Sequence, residues 1–146
     1  MRLEPILCAH AFMKMERPPE LWEPDTEDWR FVPLLGEMIA AALAAGAGLE
    51  ELTLGASNVV VCPSDEGDPV DAPGPAEYVA ITVRGPTDFG ADDRWHPAAP
   101  QRGGLLGRLH ERLDAAGAAF AYIRRAPPQG SFTVFFPRAR SGPATR

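Results

Sequence analysis

A chain of 146 residues, 45% hydrophobic and 23% charged, has the size of one average domain and enough apolar side chains to fill a core. Its net charge of −6 argues against nucleic-acid or acidic-membrane partners, for which a basic face is the usual footprint. Its richest apolar stretch, Ile39 to Ala47, is short and mostly alanine, well below the roughly eighteen residues a membrane-spanning helix needs. Glu4 and Pro5 spoil the layout of a secretory signal, and the two cysteines, Cys8 and Cys62, are too few and too far apart for a disulfide scaffold. Both read as reduced core residues, which fits a cytoplasmic protein.

In chain order, Leu3 to Met15 is largely apolar and could pair as a strand, with Pro5 suited only to its first residues or to an edge. Glu16 to Asp28 is acidic and broken by Pro18, Pro19 and Pro24, so it is expected to lie against the domain, anchored by Trp22 and Trp29. Residues 1–32 thus read as an N-terminal arm. Pro33 is suited to a first helical position. Leu34, Leu35, Met38, Ala42 and Leu43 then recur at helical spacing until Gly46 supplies a stop.

Glu51 to Ala56 and Asn58 to Cys62 read as two short strands, the second a β-branched run expected to be fully buried. Ser64 to Pro75, with four acids, three prolines and two glycines, has the composition of a solvated loop. Glu77 to Arg84 gives a third strand, and Gly85 to Gly103 a long connection. Leu105, Leu106, Leu109, Leu113 and Ala116 mark a second amphipathic helix ended by Gly117. Ala119 to Arg125 and Ser131 to Arg138 pair around Pro127-Pro128-Gln129-Gly130, and residues 139–146 form a frayed tail.

The two helices match at seven of fourteen positions between 34–47 and 105–118, and Ser57, Val60 and Pro63 align further on with Ser131, Val134 and Pro137. The expectation is a single α+β domain, 1–146, with its core in 33–138. Two amphipathic helices pack on one face of an antiparallel sheet of about five strands, as a helix–hairpin unit that could have been duplicated.

Chemistry has few places to sit. Asp88, Asp92 and His96, beside Asp93, Arg94 and Trp95, bring carboxylates and an imidazole into one loop, the materials of a general base or a divalent metal site. Adjacent Asp92 and Asp93 would point apart in an extended chain, and neither His10 nor His110 has a spacing that predicts convergence, so no metal set is expected. Asp65, Glu66, Asp68 and Asp71 lack the glycine and the distant glutamate of a calcium loop. A Walker loop, a dinucleotide fingerprint and a nucleophile elbow are all missing from the sequence, and Asp88-Phe89-Gly90 has none of the other kinase motifs around it.

Arg102, Gly103, Gly104 and Arg108 open the second helix, where free backbone N–H groups, the helix dipole and two guanidinium groups coincide. A small anion is the ligand expected there, unless Asp92 or Asp93 folds back to cap the same donors. Arg112, Arg124 and Arg125 could extend the patch.

From Gln101 to Arg108 the sequence resembles the coenzyme-A pyrophosphate loop of the N-acetyltransferase superfamily, which runs Gln/Arg-x-x-Gly-x-Gly/Ala into a helix. Gly104 falls in place, and Leu106 stands where the pattern has glycine or alanine. The resemblance covers about a dozen residues and implies acyl-coenzyme A as the anion.

Two readings of function follow. The first is a binding or protein-interaction module without a complete catalytic motif or cofactor. Its partner is a protein or a small anionic ligand, it could be a homodimer, and strands such as Thr133-Val134-Phe135-Phe136 need covering on both faces. The second is a small enzyme, either N-acyltransferase-like or a metal-dependent hydrolase using the loop over 88–96.

Overall fold

The computed structural model describes residues 14–16, 20–62, 73–74, 76–87, 89, 92–98 and 104–139. The expected first strand, Cys8, the acidic loop, Asp88, Arg102, Gly103 and the tail from residue 140 lie wholly or largely outside them.

The fold is α+β. Among the described residues the elements run β1 (Lys14–Glu16), α1 (Asp28–Ala44), a single 3-10 turn (Leu49–Glu51), β2 (Thr53–Val61), β3 (Ala76–Gly85), β4 (Asp93–Trp95), α2 (Gly104–Arg108), α3 (His110–Ala115), β5 (Phe120–Ala126) and β6 (Gln129–Pro137). The sheet order is β1-β2-β3-β6-β5-β4. Five strands are antiparallel throughout, and β1 adds to the β2 edge in parallel.

Alternation sets the core. Leu54 and Ala56, Val79, Ile81 and Val83, Phe132, Val134 and Phe136, Ala121 and Ile123 share one side of the sheet through the strand registers. They join one buried cluster with Phe31, Leu34, Leu35, Met38 and Ile39 of α1, with Leu106 of α2, with Leu109 between α2 and α3, and with Leu113 of α3. Phe31 meets Phe136 edge-on with ring centroids 5.5 Å apart.

Several elements depart from the sequence expectation. Helix α1 begins at Asp28 and carries Pro33 inside it. A proline in the second turn removes one helical donor, the partner of the Trp29 carbonyl, and burial of Phe31 and Leu34 outweighs that loss. Trp29 is consequently on the helix and 66% exposed rather than an anchor of the arm. The strands expected on either side of Ser57 are one strand, β2, so the alignment of Ser57, Val60 and Pro63 with β6 pairs residues from non-equivalent strands. Val60 is 60% exposed, Val59 and Val61 are half-buried, and Cys62 is an exposed free thiol. The long connection contains the edge strand β4, whose Trp95 is fully buried. The second helix is broken at Leu109 into α2 and α3.

The arm over 20–27 does lie against the domain. Asn58 on β2 accepts from the Trp22 N–H at 2.8 Å and donates to the Glu20 carbonyl at 2.8 Å, so one side-chain amide serves both polar groups of the arm's backbone there. Asp25 N–H donates to the Pro137 carbonyl, Ala139 N–H donates to that of Glu23, and the Arg138 guanidinium stacks 4.2 Å over the Trp22 ring.

Both long helical segments end alike. Ala47 N–H bonds the Ala42 carbonyl and Gly46 N–H that of Leu43; Ala118 bonds Leu113 and Gly117 bonds Asp114 in the same way. The glycines have φ of 109° and 79°, a region that strains any residue with a Cβ. Gly46→Ala and Gly117→Ala are each expected to destabilise the fold by about 1 kcal/mol in urea unfolding. Loss at neither would show that these turns do not end the helices.

Candidate functional site

The loop with the candidate acids and imidazole is held as structure. Asp92 Oδ1 accepts the Arg125 backbone N–H at 2.6 Å, which fastens the loop to the end of β5. Asp93 Oδ1 takes the Arg94 N–H at 2.9 Å. The two carboxylates therefore serve different groups, as adjacent positions on an extended chain require. His96 is half-buried, and its Nδ1 accepts the Ala98 N–H at 3.0 Å in a local turn. Among the described residues no group of three or more histidines, cysteines or acids is placed to hold a metal ion.

A polar contact lies beneath this loop. Trp95 turns its ring into the core, and its indole N–H donates to His110 Nδ1 at 3.1 Å across to α3. An indole buried there without an acceptor would cost the desolvation of its N–H, so His110 is a structural partner rather than a surface residue. That role follows from β4 pairing with β5, and periodicity over three residues gives no sign of it.

At the candidate anion site, Gly104 begins α2 with φ of 72°. A Cβ built there would lie 3.4 Å from Asp93 Oδ2, so an acidic oxygen sits beside the start of this helix. Arg108 ends the five-residue helix and is exposed. Five residues carry little dipole between them, and the carboxylate competes with any anion for the same place.

Two apolar surfaces are more developed. On the sheet side away from Phe132, Val134 and Phe136, Phe135 packs with Tyr78, Phe120 and Tyr122 at centroid distances of 5.8 to 6.1 Å. Tyr78 and Phe120 are buried, Tyr122 and Phe135 half-buried, and the Tyr78 hydroxyl donates to the Gly74 carbonyl at 2.6 Å. Burial pushes the Tyr78 pKa above the ordinary value of 10.0.

The second surface is on α1. Among the described residues four large hydrophobic side chains are exposed, Trp29, Val32, Leu43 and Val60, and three of them stand on this helix. Trp29 is held in place although exposed: its indole N–H donates to the Glu27 carboxylate, and the Arg30 guanidinium lies 4.5 Å over its ring. The signal was in the sequence, because Asp28, Arg30 and Glu37 are the only charged residues of α1. A start at Pro33 hid it by leaving Trp29 and Val32 off the helix.

A cleft of about 500 Å³ separates the arm from the end of α3, its lining including Glu23, Asp25, Glu27, Arg30, Ala115 and Gly117. No helix among the described residues is long and apolar enough to cross a membrane. Compared with known proteins, the chain matches no protein-family model and no curated sequence.

Two outcomes test these placements. His110→Ala is expected to cost about 1–3 kcal/mol by stranding the Trp95 N–H, with His110→Gln recovering part of it in thermal or urea unfolding; equal stability of all three proteins would remove His110 from this role. For Tyr78, the unfolded phenol ionises near pH 10 and the folded one higher, so above that pH the unfolded state holds fewer protons and stability falls. This alkaline fall should be smaller in Tyr78→Phe, measured as ΔG against pH from 8 to 11, and an unchanged slope would contradict it.

Proposed function

We propose that the protein is a binding module that engages another polypeptide through an apolar helix face. One observation carries this reading: Trp29, Val32 and Leu43 are exposed on α1 while the same helix fully buries Phe31, Leu34 and Met38 on its other side. A surface helix that meets only water on its outer side normally carries polar residues there. A tryptophan at the surface, pinned by Glu27 and Arg30 and so already ordered, loses little freedom on binding and has the makeup of an interface anchor.

The same reading takes α1 and the α2–α3 pair as two helix–hairpin units on one face of the sheet, and their shared core cluster and identical closing turns support it. This leaves the outer side of the helix layer for a partner. The small-anion reading, with Arg102, Gly103, Gly104 and Arg108 as its donors, has Asp93 against it at Gly104.

The test is covalent capture in the native cell. A photoreactive benzoylphenylalanine at Val32 should give an adduct with a polypeptide on irradiation, and the same group at exposed Glu50 should not. No adduct at Val32, or equal adducts at both, would end the reading.

A further inference from the structure

The apolar stripe of α1 has an internal symmetry that specifies its partner. Residues of an α-helix follow at about 100° each, so Val32, Gly36, Ala40, Trp29 and Leu43 fall within roughly 40° of one line along the helix. All five are exposed. The stripe reads the same in both directions from Gly36: Val32 and Ala40 stand four residues away, and Trp29 and Leu43 seven.

We propose that the face is occupied by a second copy of the chain, with the two α1 helices antiparallel and Gly36 on the two-fold axis. This rests on the reading of α1 as an interaction face. In an isologous contact each residue meets its symmetry mate's counterpart. The arrangement brings Trp29 against Leu43 of the second copy, large on large at both ends, and Val32 against its Ala40.

The residue on the axis meets itself, and there size and charge are most restrictive. Helices in contact lie about 8–10 Å apart with Cα atoms about 2.3 Å from each axis, which leaves the two Gly36 Cα atoms roughly 3–5 Å apart. Glycine fits that gap without steric conflict. A glycine in mid-helix is otherwise disfavoured, and a Cβ at Gly36 would meet nothing within 4 Å inside its own chain, so the monomer has no need of it. The stripe has no charged side chain to meet its own copy, and antiparallel helices set opposite dipole ends side by side. α1 has 17 residues, about 25 Å of length, and two such helices bury on the order of 1,000 Å², the lower end for a specific interface. The dimer is therefore reversible and depends on concentration.

Sedimentation velocity of the purified chain across a concentration series should show a monomer–dimer equilibrium. Gly36→Glu, with unchanged circular dichroism, should weaken it at least about tenfold by placing two carboxylates at the axis. In a Cys8→Ser, Cys62→Ser background, Gly36→Cys should form an interchain disulfide on mild oxidation and Glu50→Cys should not. A chain that stays monomeric, or that dimerises equally well as Gly36→Glu and forms no disulfide at position 36, overturns the second copy. An adduct at Val32 with a different polypeptide, from a chain that is monomeric when pure, also overturns it and leaves the interaction face standing.

Discussion

A helix lying on a sheet can bury only one of its sides, and α1 is apolar on both. Phe31, Leu34, Leu35, Met38 and Ile39 take the buried side because the sheet offers them Phe136, Val134 and Ile81. The register of β3 with β6 fixes those three on one face, so the direction in which α1 turns its second stripe is set by the sheet. Trp29 and Val32 face outward for this reason. Water is a poor neighbour for such a stripe, and the polypeptide partner proposed above would remove the mismatch.

The polar contacts serve the same packing. Asn58 holds the arm, Asp92 holds the end of β5, and His110 satisfies the one donor that Trp95 carries into the core. Each is a short polar side chain that meets backbone or indole groups no strand or helix can reach. Two of the residues that look most like chemistry in the sequence, Asp92 and His96, are thus engaged in holding loops.

Much of the fold was legible because local rules and tertiary packing agree. The glycine stops at Gly46 and Gly117, the third strand, and the final hairpin closing on Pro127-Pro128 all follow from residue type and spacing alone. The misreadings share a cause, which is that tertiary contacts override a local preference. Pro33 looks like a helix start until Phe31, two residues earlier, is seen packed on Phe136. Val59 to Val61 looks like a buried run, but at the far end of β2 Val60 meets solvent and its two neighbours are half-buried. Strand β4 is three residues long and exists because β5 offers it an edge. The α1 face was half legible: its lack of charge is plain in the sequence, but its extent depends on where the helix begins.

If α1 is the contact between two copies of the chain, its exposed methyl groups sense protein concentration and the rest of the fold does not. Methyl nuclear magnetic resonance over a dilution series reads this residue by residue. The account predicts that the Val32 and Leu43 resonances shift or broaden as concentration rises, with Ile81 and Val134 in the core unchanged. Shifts confined to Val59 and Val61 on β2, or no shift anywhere, would contradict it.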